Sequence, residues 1–215
     1  MTARRQRQDP RKETTREALV EAAERMFAEM GVEATSTRQL AAAIGALNTN
    51  VVAYHFGSKD ALVEAVFHRR LPELDRRRGE MLAALDCPAE ASTVLELVTA
   101  FAIPLFEQTD ITGQHSFARF LGGLERSGMT AARGLVVKDY PHSERLTRLL
   151  VDCLPPDLQG EGHLRLRLIL SMLTTAMQVI DQEPGLSSDA ARRMFDNTIA
   201  MAAAAFGAPA AKVTP

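Results

Sequence analysis

Asn48, Thr49, Asn50, Tyr54 and His55 fall within one short stretch of the chain. An asparagine amide can pair with an adenine edge, and a threonine can meet a hydroxyl partner or a thymine methyl. The window Ala34 to Lys59 holds Arg38, His55 and Lys59 and no carboxylate, although Glu33 and Asp60 flank it. A surface without carboxylates can approach a phosphate backbone without repulsion. Other chemistries find little material. Cys87 and Cys153 lack disulfide-framework or zinc spacing. The five histidines are scattered, and no nucleophile–base pair, metal spacing or phosphate-cradling Gly loop occurs. The expectation is no enzyme, no metal and no cofactor.

The elements that must carry these residues read as helices throughout. Glycine and proline stand almost only between periodic segments, and no segment alternates for long. A first helix is expected from Thr14 to Met30, with Leu19, Ala22, Ala23, Met26 and Phe27 on one face and Gly31 closing it. Ser36 and Gln39 have capping-box spacing for a short helix that buries Leu40 and Ile44 and ends at Gly45. Asn48 can cap a second short helix through Tyr54, backed by Leu47 and Val52. Ser58 to Arg70 follows. Beyond Pro72 come Leu74–Leu85, Ala91–Gln108 with a kink at Pro104, Gln114–Arg126, His142–Leu154, Gly162–Gln182 and Ser188–Phe206. The fold class is all-α, with about nine helices.

Length and composition agree. The chain has 215 residues, 46% hydrophobic, enough apolar material for a core. No stretch approaches a membrane span, and no apolar segment follows Arg4, Arg5 and Arg7 as a secretory leader requires. A reduced, cytoplasmic protein is expected, with no membrane partner. The net charge of −2 hides an asymmetry. Residues 1–80 carry 14 Lys+Arg against 12 Asp+Glu, and residues 81–215 carry 11 against 15. Four parts are expected: a basic flexible arm (1–13), a reading domain (14–72), a larger helical domain (73–207) and a frayed tail (208–215).

Two short helices around a Gly-containing turn, packed on a third, make a helix-turn-helix. Its second short helix lies in the DNA major groove. The chain adds more specific marks. They are Phe27-Ala28-Glu29-Met30-Gly31, Thr37-Arg38-Gln39-Leu40-Ala41-Ala42-Ala43 and above all Tyr54-His55-Phe56-Gly57-Ser58-Lys59-Asp60-Ala61-Leu62. Over residues 14–70 this resembles the tetracycline-repressor family of transcription regulators. The resemblance implies a dimeric repressor that leaves a palindromic operator on duplex DNA when a small, largely apolar effector binds.

Carried over by position, it implies phosphate contacts by Thr37 and Arg38. Base and backbone contacts fall on Asn48, Thr49, Asn50 and Val51, with Tyr54 and His55 beside them. Lys59 falls where the family has a phosphate clamp. Between Leu40 and Tyr54 the chain carries one residue more than the common family spacing, so a looser turn is expected at Ala46-Leu47. Val51 and Phe56 could equally pack inside.

The remaining two-thirds resembles the family in layout alone. A ligand pocket is expected among Phe101, Phe106, Phe117, Phe120, Leu121, Leu124 and Met129, with His115 and Arg119 to orient a polar group. The apolar arc of Gly162–Gln182 is wide enough to be buried on two sides. With the last helix it suits a homodimer interface, for which Leu168, Met172, Met177, Met194, Phe195, Ile199 and Ala202 are the candidates.

Overall fold

The computed structural model describes residues 10–85, 92–127 and 139–210, with side-chain surroundings for 12–85, 92–125 and 139–210. Among them the chain forms nine α-helices and no strand. They are α1 (Pro10–Met30), α2 (Thr37–Ala43), α3 (Val51–Phe56), α4 (Lys59–Ala83), α5 (Val94–Phe106), α6 (Ser116–Ser127), α7 (Pro141–Asp152), α8 (Gly162–Gln182) and α9 (Ser188–Phe206). A 3-10 turn, Gln159–Glu161, leads into α8.

Local chemistry explains the ends. Ser36 and Gln39 form the capping box that the spacing predicts, with the Ser36 hydroxyl accepting from the Gln39 amide. Thr93 and Glu96 do the same for α5. Gly57 closes α3 at φ +79°, a conformation that a side chain would strain, and Ser58 at once caps α4. The N-terminus of α7 is capped from another helix: Asp75 of α4 accepts from the Ser143 amide at 2.7 Å.

Three expectations change. Pro72 does not divide two helices. It lies inside α4, which runs 25 residues from the reading domain into the larger domain. The expected boundary at 72 therefore falls within one rigid element. Pro10 to Glu13 are the first turn of α1 rather than flexible arm; a proline costs least in a first turn, where its missing N–H has no helical partner anyway. The α3 helix starts at Val51, not after Asn48, because the Asn48 carboxamide oxygen accepts from the Asn50 amide at 2.9 Å and forms a turn instead. Residues 1–9 of the arm and 211–215 of the tail lie outside the described residues.

The core ties the two ends of the molecule together. Phe27 of α1, Phe67 of α4 and Phe117 and Phe120 of α6 are all at most 1% exposed. Their rings meet at centroid distances of 5.4 to 6.1 Å. Beside them Arg70 of α4 makes two hydrogen bonds to the buried Glu24 of α1, at 2.6 and 2.8 Å. The Ser116 hydroxyl of α6 donates to the same carboxylate at 2.5 Å. Burying Glu24 is tolerated because both its oxygens are paired. In the larger domain α8 packs on α9, α6 and α7, and α9 packs on α5.

Candidate nucleic-acid interface

The α2 and α3 helices rest on α1 and α4 through Leu40, Ala41, Val51 and Val52, all buried. What remains outside is polar. Thr37, Arg38, Asn48, Thr49, Asn50 and Tyr54 are exposed, and His55 is half-buried. Tyr54 is 63% exposed. No carboxylate stands among these residues in sequence. The arrangement presents amides, hydroxyls and one cation at the start of α2, in the turn before α3 and on α3 itself, the kit for reading base edges.

Val51 departs from its assignment. Its side chain is buried against the domain core, so it backs the helix instead of facing outward. Leu47 departs in the opposite sense. Expected as apolar backing, it is the most exposed large apolar side chain among the described residues. Leu47 lies in the connection between α2 and α3, two residues after Gly45 at φ +68°, and not on either helix.

Lys59 is turned inward. Its ammonium donates to the Val32 carbonyl at 2.8 Å and the Thr35 carbonyl at 3.3 Å. Thr35 is itself buried and its hydroxyl donates to the Gly31 carbonyl at 2.8 Å. Lys59 therefore stitches the turn before α2 onto the start of α4. Sequence spacing put it at the surface; only folding shows which oxygens it reaches.

Two cations of the N-terminal basic stretch, not counted among the candidate contact residues, join this face. Lys12 stands 5.2 Å from the Tyr54 ring centroid, and the Arg16 guanidinium 5.0 Å from that of Phe56. Cations over aromatic faces are held there electrostatically. Their field reaches His55, whose pKa is held below the ordinary imidazole value, first by partial burial and then by Lys12 and Arg16. The signal was present in the basic residues near the N-terminus, but their register against α3 depends on how α1 packs.

The larger domain holds a cavity of about 110 Å³ between α4, α5, α6, α7 and α8. Its apolar wall includes Phe67, Leu71, Leu74, Phe101, Leu105, Leu121 and Leu170, and its polar side Arg78, Tyr140, Ser143 and Thr147. Of the expected pocket residues Phe101 and Leu121 line it. Phe117, Phe120 and Leu124 are core. Phe106 stacks on Phe195 at 4.4 Å and meets His115 at 4.7 Å. His115 and Arg119 are directed to Asp181 of α8, His115 with its ring nitrogen at 2.7 Å. These groups were assigned to a pocket because apolar residues on middle helices look alike until their faces are known. Met129 lies outside the described residues.

The interface candidates divide. Leu168 is 61% exposed, Met194 is exposed and Met172 half-buried. Met177, Phe195, Ile199 and Ala202 are at most 2% exposed and fill the protomer's own core. Leu164, Val179 and Met201 are further exposed apolar residues on the same two helices.

Among the described residues, no three His, Cys, Asp or Glu side chains are grouped to hold a metal, and no helix is long and apolar enough to cross a membrane. Burial, then Asp152, pushes the Cys153 thiol up, which keeps it protonated at neutral pH.

A short brace helix, a short polar-faced helix and a supporting third, mounted on a helical body, define a helix-turn-helix DNA-binding regulator. Residues 19–66 match the family model described as bacterial regulatory proteins, tetR family. That stretch, α1 to the start of α4, is therefore similar to the N-terminal domain of that family. The fold is similar to that of solved structures along most of its length. The ketosteroid transcriptional regulator KstR2 of Mycobacterium tuberculosis aligns over 87% of this chain and 92% of its own, at 22% identity and TM-score 0.59. The TetR family transcriptional regulator PfmR from Thermus thermophilus aligns over 85% and 97%, at 25% identity and TM-score 0.51. Comparison with curated proteins found no match.

Proposed function

We propose that the protein is a homodimeric, cytoplasmic repressor, not an enzyme, that binds a palindromic operator and is released by a small, largely apolar effector. The observation that carries the DNA-binding part is the exposure of Thr37, Arg38, Asn48, Thr49, Asn50 and Tyr54, all from a stretch of sequence without a carboxylate, on the family-matched domain. In this reading Asn50 and Thr49 read bases, Leu47 offers an apolar contact for a thymine methyl, and Arg38 with Lys12 meets phosphate.

One short helix covers few base pairs, so a twofold pair of heads is needed to read a full site. Leu164, Leu168 and Val179 on α8 and Met194 and Met201 on α9 support such pairing, because the two helices pack together and leave these apolar side chains in water. The effector reading rests on the cavity and on α4. That helix begins beside α3 and supplies Phe67, Leu71, Leu74 and Arg78 to the cavity. A ligand that prefers one tilt of α4 would shift the population of head spacings.

Binding to the DNA flanking its own gene, measured against a scrambled duplex over a salt series, tests the reading. Asn50→Ala is expected to change sequence preference, with about 1–3 kcal/mol of discrimination lost at one base pair. Arg38→Ala is expected to weaken all sequences alike and to lower the salt slope by about one. Equal affinity for specific and scrambled DNA would exclude the proposal.

A further inference from the structure

We propose that the cavity takes a compact, neutral ligand, about one six-membered ring in size, that carries a hydroxyl or carbonyl oxygen. The proposal rests on the reading of that cavity as the effector site.

Size is the first argument. The cavity is about 110 Å³, and a dry apolar cavity near 150 Å³ is known to accept benzene. Its walls do not yield easily, since Phe67, Leu74, Leu105 and Leu170 are each at most 3% exposed and packed into the main core. Phe67 and Phe101 both line the cavity, and aromatic walls favour a flat apolar ligand.

The polar side sets the chemistry. Arg78 is 6% exposed, but it is a strut more than a clamp. Its Nε and Nη2 donate to the Phe101 carbonyl at 3.3 and 3.0 Å, and its Nη1 to the Ser143 hydroxyl at 3.1 Å. Its guanidinium also covers the Phe101 ring at 4.3 Å. One helical turn back, the buried Asp75 accepts from the Ser143 amide and puts a carboxylate on the same side. The Tyr140 hydroxyl on the same side is pushed above its ordinary pKa by burial and then by Asp139 and Asp75. A ligand carboxylate placed there would meet the same negative field and the cost of desolvation as well. A neutral oxygen meets neither cost and can bond the Tyr140, Ser143 or Thr147 hydroxyl.

Calorimetric titration of the full-length protein at pH 7 with phenol, benzoate and androstenedione tests the size and the charge separately. Phenol is expected to bind saturably, at least tenfold more tightly than the other two. Thr147→Phe, which fills the cavity, is expected to abolish the signal; Leu170→Phe repeats that arm if the first variant does not fold. Benzoate binding as tightly as phenol overturns neutrality, and tight androstenedione binding overturns compactness. Absence of phenol binding, or phenol binding that both filled variants retain, overturns the assignment altogether. Operator affinity measured with each ligand separates the two levels. Release by benzoate or the steroid leaves the effector reading standing without this ligand class. Phenol binding without any change in operator affinity supports the class and removes the effector role.

Discussion

Lys59 illustrates how a residue's neighbours decide its work. A lysine at the start of a helix suits an anion, yet here its ammonium serves the Val32 and Thr35 carbonyls. Lys59→Ala is expected to cost about 1–2 kcal/mol of stability, the range for a hydrogen bond from a charged group that is partly screened. Urea unfolding of the two proteins measures it. An unchanged midpoint, with DNA affinity lowered, would return Lys59 to the role of phosphate clamp. His55 gives a pH signature. Its folded pKa lies below the ordinary value, so the unfolded chain takes up the proton first as pH falls. The stability gained from a neutral His55 is therefore present above about pH 6.5 and declines below it. Thermal melts from pH 7.5 to 5.5 are expected to fall more steeply for the native protein than for His55→Gln. The Tyr-His-Phe-Gly-Ser-Lys run made this neighbourhood legible in sequence. The inward turn of Lys59 and Val51 and the outward turn of Leu47 were not, since each depends on where another segment's backbone lies.

At the scale of elements, α4 is the main revision. Its 25 residues join a reading head to a cavity wall, and Pro72 misled because proline usually marks an end. The Arg70–Glu24–Ser116 cluster fixes α1 to α4 and α6. Arg70→Met leaves the buried Glu24 carboxylate without its counter-charge, held by the Ser116 hydroxyl alone, which costs about 3–5 kcal/mol. The double variant Arg70→Met with Glu24→Leu removes both charges and is expected to recover much of that loss. Chemical unfolding of the two variants checks the difference; equal losses would show that the Glu24 charge left without Arg70 carries no penalty. Helix existence and most helix ends could be read from periodicity and capping residues, as Ser36 with Gln39 and the full span of Ser188–Phe206 illustrate. The cap that Asp75 lends to α7 could not, because donor and acceptor lie 68 positions apart.

For the whole molecule, the two faces of α8 and α9 separate two roles. Phe195 stacks on Phe106 and is fully buried. Phe195→Ala is therefore expected to lower stability by about 3–5 kcal/mol. Leu168→Glu, on the open face, is expected to leave the protomer folded and to halve the mass seen by light scattering. A Leu168→Glu protein of unchanged mass would move the pairing surface elsewhere. Both residues looked equivalent in sequence, because periodicity counts apolar faces without saying which one meets its own chain.

Sequence alone determined that the chain is helical, where its reading head lies and what chemistry that head presents. Those properties are local: they follow from 3.6-residue periodicity, caps, and a run of residues close in the chain. Tertiary structure decided which apolar side chains are core, cavity wall or open face, and which cations reach α3. Those depend on contacts between helices far apart in the chain, where rotating one helix by a third of a turn exchanges one face for another.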